Sequence, residues 1–289
     1  MDRVHVIGAS GRSGVVLCRS LLADGIEAVP VVRDPAKWEA AGLAGEPRQA
    51  DLRQPAVLAA ALAGATHIVS CAHARHAPAI IAAAPPGAML VLLGSTRKFT
   101  RWPDAHGNGV LAGEAALLRS GRRGVMLHPT MIYGAQGENN VQRLAALLRR
   151  VPMMPLPAGG KFLVQPIHQG DVTRCIRAAL AQTWDNPASL VIAGPDPVRY
   201  ADFVRAVAAA AGIRKPAIVP FPLGPLLFAA RLTRHVRALP TIAPEEIRRL
   251  TEDKAFPVGP MRDRLGIIPI ALDRGLALTF APSPQSADP

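Results

Sequence analysis

A doubly wound, parallel α/β sheet is what this sequence predicts, and three observations predict it. Apolar strand-like runs alternate with alanine-rich helical runs from residue 4 to about residue 130. The strand-like runs are continuously apolar, Met89-Leu90-Val91-Leu92-Leu93 most clearly, which suits a sheet covered on both faces. Between the first such run and the first helical run lies a loop with three glycines, Gly8-Ala9-Ser10-Gly11-Arg12-Ser13-Gly14.

In chain order, strands are expected at 4–7, 27–32, 48–50, 67–71, 88–93 and 124–128. Helices are expected between them at 13–24, 35–43, 55–63, 76–84 and 107–120. Beyond about residue 130 prolines crowd in, at Pro152, Pro155, Pro157 and Pro166 and again from Pro216 to Pro225. Short helical stretches at 138–150, 170–182, 200–211 and 243–253 alternate there with loops. Residues 1–135 therefore read as a Rossmann-type dinucleotide-binding region. Residues 136–281 read as the remaining sheet elements with a smaller C-terminal substrate lobe, and 282–289 as a flexible, proline-rich tail.

The bulk composition narrows the function classes. A chain of 289 residues, 49% of them hydrophobic, can bury one large α/β core. Cys18, Cys71 and Cys175 are far apart and lack CxxC spacing, which points to reduced thiols of a cytoplasmic protein. No histidine or cysteine grouping has metal-ligand spacing. The chain opens directly into the strand-like Val4-His5-Val6-Ile7, so no secretory signal is expected. The apolar stretch 77–94 is broken by Pro85-Pro86-Gly87, and 217–230 is short and carries three prolines, so neither reads as a membrane span. The net charge of +12 is spread along the chain and aromatics make up only 4%, which argues against a nucleic-acid partner. The stretch 223–239 sets Arg231, Arg234 and Arg237 beside Leu226, Leu227 and Phe228. It reads either as a lid helix on the smaller lobe or as a surface for peripheral contact with an anionic membrane.

The GxxGxxG loop carries the functional signal. Gly8 allows the tight turn off the strand, Gly11 lets backbone approach a pyrophosphate, and Gly14 lets the helix pack close to the sheet. The amides and positive end of that helix, flanked by Ser10 and Ser13, then face the phosphates. Arg33 ends the second strand where an NAD-type site would place a carboxylate, and Arg12 lies inside the loop. Together they suit the 2′-phosphate of NADP(H) rather than NAD(H). The alternative leaves both arginines on the surface and gives the ribose to Asp34. Asp51-Leu52, after the third strand, are placed for the adenine edge.

With these segments in hand, the sequence resembles the short-chain dehydrogenase/reductase superfamily, in its extended and atypical branches. Those include epimerase/dehydratase-like and NmrA-like proteins. The matching segments are the glycine loop, Arg33, Asp51-Leu52, Leu92-Leu93-Gly94-Ser95-Thr96, His128-Pro129-Thr130-Met131-Ile132-Tyr133-Gly134 and Gln165-Pro166-Ile167-His168-Gln169-Gly170-Asp171-Val172. The resemblance implies an NAD(P)(H) cofactor and a serine, a tyrosine and a lysine as catalytic groups, the last two spaced YxxxK. Here it breaks down. The two tyrosines, Tyr133 and Tyr200, are each followed four residues on by a non-lysine, Gly137 and Val204. Val110 and Glu114 stand where the Tyr and Lys are expected.

The candidate catalytic groups are therefore Ser95, Tyr133, Glu114 and Lys98, and the candidate substrate contacts Thr96 and Lys161. Ser95 or Thr96 holds the family's serine position, with a loop-capping hydroxyl as the alternative. Glu114 would be a substitute base if burial raised its pKa. Lys98 would replace the missing charge unless it is a solvated lysine. Tyr133 would be a relocated acid/base unless it is a packing residue. His128 reads as a core histidine, and His168 and Asp171 as a lock between lobe and sheet. Two function classes follow. One is an NADP(H)-dependent oxidoreductase or epimerase of a small or nucleotide-sugar-like substrate. The other is a non-catalytic sensor, regulator or assembly factor with a protein partner. A homodimer through the helices flanking the sheet is implied by the resemblance alone.

Overall fold

A computed structural model describes residues 3–135, 140–233 and 244–281. The first half runs β1 (Arg3–Ile7), α1 (Arg12–Ala23), β2 (Glu27–Val32), α2 (Pro35–Glu39), β3 (Arg48–Gln49), α3 (Pro55–Ala61), β4 (His67–Ser70), α4 (Ala77–Ala83), β5 (Met89–Leu93), α5 (Ala105–Arg119) and β6 (Gly124–Pro129). It continues with β7 (Ile132–Tyr133), α6 (Asn140–Leu148), β8 (Met153–Pro157), β9 (Leu163–Val164), β10 (Ile167–His168), α7 (Gln169–Ala181) and β11 (Ala188–Ile192). The remaining elements are β12 (Val198–Arg199), α8 (Tyr200–Ala210), β13 (Ala217–Phe221), α9 (Leu223–Thr233), α10 (Pro244–Arg249), α11 (Gly259–Leu265) and α12 (Leu272–Phe280).

Seven parallel strands form the central sheet in the order β3-β2-β1-β4-β5-β6-β11. The order reverses direction at β1, the switch point at which such sheets bind ligands beyond the carboxyl ends of their strands. Because side chains alternate along a strand, neighbouring residues feed two separate cores. Val4, Val91 and Leu127 face α1 and α7, while Ile7, Leu90 and Met126 face α3, α4 and α5. On α1 the buried positions are Gly14, Leu17, Cys18 and Leu21, the spacing of a single helical face.

The six strands and five helices expected in the first half are all present. The seventh strand, β11, lies in the region read as holding the remaining sheet elements, where no individual strand is expected from the sequence. It pairs with β6 from Ala188↔Val125 to Ile192↔Pro129 and draws the later chain back into the sheet. The smaller lobe has its own cores. Tyr133, Phe203 and Leu276 centre one, and Leu148, Leu156 and Val204 the other. Parallel pairing of β8 with β13 gives this lobe its edge. Of the helix expected at 138–150, α6 supplies 140–148, and residues 136–139 lie outside the described residues. The region read as a lid or membrane-contact surface begins as α9, and its residues beyond 233 lie outside the described residues, as does the expected tail at 282–289. No helix among the described residues is long and apolar enough to cross a membrane.

Asp171 is fully buried and fixes the C-terminal segment, as its lock reading requires. It accepts from the Ile270 amide at 2.8 Å and is paired with Arg174, which also donates to the Ile268 carbonyl at 2.8 Å. A closer approach occurs at Gly113 of α5. A methyl group there would overlap the Ala74 carbonyl, its carbon lying 2.7 Å away. Gly113→Ala is expected to cost about 1–3 kcal/mol by pushing backbone from backbone. Urea denaturation should show a lowered midpoint with unchanged slope, and an unchanged midpoint would refute this packing.

Candidate functional site

The glycine loop has the geometry of a phosphate cradle. Gly8 turns off β1 with φ of +75°, its amide donating to the Val31 carbonyl at 2.9 Å, and the Gly11 amide closes back onto the Gly8 carbonyl at 2.9 Å. A Cβ on Gly14 would come within 2.8 Å of the Ala9 Cα, so only glycine lets α1 approach β1 this closely. Gly11 is the N-cap of α1, provides no side-chain cap, and is followed by no acidic residue in the first turn. No carboxylate competes there for the helix amides, so the residues present fit a dinucleotide pyrophosphate.

The other expected nucleotide contacts lie along the same edge. Arg33 follows β2 with its side chain exposed. Asp34, the alternative ribose ligand, sits 3.8 Å from Lys37. Asp51 and Leu52 follow β3, which pairs with β2. Arg53 grips the Asp51 carboxylate through Nε at 3.1 Å and Nη2 at 2.7 Å, holding its pKa down to about 2. Asp51 is thus an acceptor already oriented by its neighbour.

Beyond β5 and β6 lies the second part of the site, a cavity of about 610 Å³ between the sheet edge and the lobe. Ser95, Thr96 and Arg97 form its inner wall with Thr130 and Gln165, and α6, β8, α8 and α10 form the outer wall. Ser95 begins a 3-10 turn over Thr96–Phe99, and its hydroxyl accepts from the Arg97 amide at 3.1 Å. Its loop-capping role is therefore real, and the hydroxyl still keeps its own proton for a ligand. Thr96 is buried and donates to the Pro129 carbonyl at 3.2 Å. Arg97 is oriented by Asp104, to which its Nε donates at 2.8 Å, while Asp104 also caps α5 at the Gly107 amide.

A buried polar knot stands behind this wall. Glu114 on α5 accepts from Lys98 and from Ser189 of β11, and lies 3.2 Å from Nε2 of His128. His128 is fully buried, and its Nδ1 accepts from the Ser95 amide at 3.2 Å. An accepting Nδ1 puts the ring proton on Nε2, where it donates to Glu114. Burial, with Lys98 beside it, lowers the His128 pKa to about 4, so the ring is neutral. Burial also acts to raise the Glu114 pKa, but hydrogen bonds from Lys98 and Ser189 outweigh it and the net shift is downward.

These contacts correct four of the expectations. Glu114 is a stabilised carboxylate rather than a base raised by burial. Lys98 is paired and only 9% exposed, not a solvated lysine. Tyr133 is 1% exposed, its ring 2.9 Å from where a Cβ on Gly275 would stand, and burial raises its pKa. It is a packing residue of the lobe. Lys161 is exposed, lies over the Phe162 ring and is not among the residues lining the cavity. Conversely, Arg249, Lys254 and Thr130 line the cavity and are not among the expected site residues. Thr130 stood inside a segment already singled out, but nothing in the sequence marked its hydroxyl.

Comparison with known proteins agrees with this geometry. Residues 8–98 match the NAD(P)H-binding family. Uncharacterized protein Rv2047c of Mycobacterium tuberculosis (strain ATCC 25618 / H37Rv) and Mb2073c of Mycobacterium bovis are each 28% identical over 213 residues. The match covers 73% of this chain and 23% of each relative, so the chain spans under a quarter of the length of the curated relatives it matches. Among solved structures, gox2253 is similar with a TM-score of 0.74 and 17% identity over 97% of both chains. The UDP-glucuronic acid 4-epimerase from Bacillus cereus, in complex with UDP-glucuronic acid and NAD, gives 0.73 and 14% over 96% of this chain and 98% of its own. A short-chain dehydrogenase/reductase superfamily protein from Agrobacterium tumefaciens with bound NAD gives 0.69 and 15% over 96% of both. The chain thus shares the fold of these structures, and its sequence contains no YxxxK.

The neutral buried histidines set a pH dependence. His128 and His5 both have folded-state pKa values lowered by burial to about 4, below the ordinary 6.5. The unfolded chain takes up these protons first, so the stability they contribute is complete above about pH 6.5 and is lost as the pH falls toward 4. Thermal melts should show the midpoint falling from pH 6.5 to 5, above the usual carboxylate range, with a shallower slope in His5→Phe. A midpoint flat over that range would refute it.

Proposed function

We propose that the chain is an NADP(H)-dependent oxidoreductase of a small molecule held in the cavity beside Ser95 and Thr130. The observation that supports it is that a phosphate cradle and a cavity share one carboxyl edge of one sheet. The glycine loop and the amides of α1 hold the pyrophosphate. Arg33 meets the 2′-phosphate, and Asp51 with Leu52 the adenine end. When bound, the nicotinamide supplies or accepts the hydride.

The cavity's own groups do the rest. The Ser95 hydroxyl donates to a substrate oxygen and orients it. Lys254 opens on the cavity, and burial lowers its pKa against the opposing pull of Glu252, 3.6 Å away. A lysine so shifted gives up a proton more readily than a solvated one, and its Nζ replaces the absent tyrosine as proton donor. Glu252 is itself held by the Thr100 hydroxyl at 2.6 Å. The polar knot positions this wall through the Ser95 amide and does not open on the cavity.

One observation favours a second reading, a non-catalytic nucleotide sensor. Val110 is 1% exposed in the core and Glu114 is tied to Lys98, at the two positions where the family's tyrosine and lysine are expected.

Calorimetry separates the cofactors. NADPH should bind more tightly than NADH, and Arg33→Ala should weaken NADPH by about 10–100-fold, the range of a lost charge-assisted hydrogen bond, while sparing NADH. Equal losses for both would refute the 2′-phosphate assignment. Over a panel of carbonyl compounds, Lys254→Met should abolish NADPH oxidation while leaving NADPH affinity intact. Tight NADPH binding without turnover on any carbonyl would favour the sensor.

A further inference from the structure

We infer that the cavity takes an amphiphile, a lipophilic chain ending in a carbonyl or carboxyl head, rather than a nucleotide sugar. This rests on reading the cavity as the substrate site. Its outer wall is built from Leu144 and Leu147 of α6, Met154 and Leu156 of β8, Phe203 of α8 and Leu250 beyond α10. Asn140, Arg143, Tyr200 and Glu246 also line the cavity from these helices, but apolar side chains predominate. A sugar or diphosphate seated against them would lose its water and gain no hydrogen bonds from them. A hydrocarbon chain loses nothing there, and methionine side chains adapt to a range of chain shapes. Met153, itself 57% exposed, and Leu226 of α9 add further apolar lining.

A second group of lining residues is polar and cationic. Arg97, Arg249 and Lys254 form it with Ser95 and Thr130, while Glu246 is the one carboxylate among the described lining residues and lies 3.9 Å from Arg143. Thr130 is 5% exposed, and its hydroxyl is buried with no hydrogen-bond partner among the described residues. A buried hydroxyl left unpaired calls for a partner, and a ligand oxygen lying between Thr130 and Ser95 supplies it. Head and chain are therefore recognised by different groups of the lining, the head by hydroxyls and cations and the chain by leucine and methionine.

Titration of the full chain with cis-parinaric acid tests this, with NADPH titrated into the same samples. Saturable fluorescence is expected, displaced by dodecanal and not by UDP-glucose. Leu147→Arg, at a half-buried position, should weaken the probe roughly tenfold or more by placing a charge on the apolar wall. Thr130→Val should weaken it by about 2–10-fold, the range of one hydrogen bond. NADPH affinity should hold in both variants. An absent or unsaturable signal, equal binding by Leu147→Arg, or displacement by UDP-glucose would overturn the amphiphile assignment even where NADPH binds normally. Saturable probe binding without any NADPH binding would keep that assignment and sink the oxidoreductase reading instead.

Discussion

A single half-buried carboxylate, Glu114, gathers the groups on which the cavity wall depends. Lys98 comes to it from the turn after β5, His128 from the end of β6 and Ser189 from β11. A buried ion pair is stable only where its remaining hydrogen-bonding capacity is met, since the interior does not screen what is left over. Lys98 and Ser189 reach the same carboxylate oxygen, and the His128 Nε2–H points there as well. His128 then passes the constraint on by accepting from the Ser95 amide, which sets the wall facing the ligand. Glu114 stands where the superfamily resemblance implies a catalytic lysine. A carboxylate that positions its neighbours occupies the place in which the resemblance implies a chemical group.

That difference explains why the fold was legible in the sequence and the chemistry was not. Continuous apolar runs such as Met89–Leu93 can be read as buried parallel strands because both faces of the sheet are covered. The roles of Gly8, Gly11 and Gly14 follow from backbone geometry alone, and each behaves as its spacing implies. β11 escaped notice because it is a short edge strand, mostly half-buried, whose apolar core is only Leu190-Val191-Ile192. The Lys98–Glu114 pair joins residues sixteen apart through a turn and a helix, and no local pattern encodes that meeting. Tyr133 was singled out for its place in a segment. What removes it from the chemistry is Gly275, more than a hundred residues away.

The cavity is still less local. Its wall is assembled from α6, β8, α8 and α10, with Lys254 beyond them, and each segment taken alone reads as an ordinary amphipathic piece. Gln165 shows how the pieces are held: its side chain donates to the Gly194 carbonyl at 2.8 Å and accepts from the Phe256 amide at 2.7 Å, pinning the segment after Lys254 beside the sheet. A fold shared with the UDP-glucuronic acid 4-epimerase from Bacillus cereus thus carries a largely apolar cavity here. Fold fixes where a ligand binds, and the lining fixes which ligand.

The oxidoreductase reading stands on the glycine loop holding a dinucleotide at the start of α1. Hydrogen exchange read by mass spectrometry, with and without saturating NADPH, tests that most directly. Slowed exchange at the amides of residues 11–15, together with the segment around Arg33, is the expected result. Unchanged exchange at that loop under saturating NADPH would contradict it and leave the glycines as packing alone.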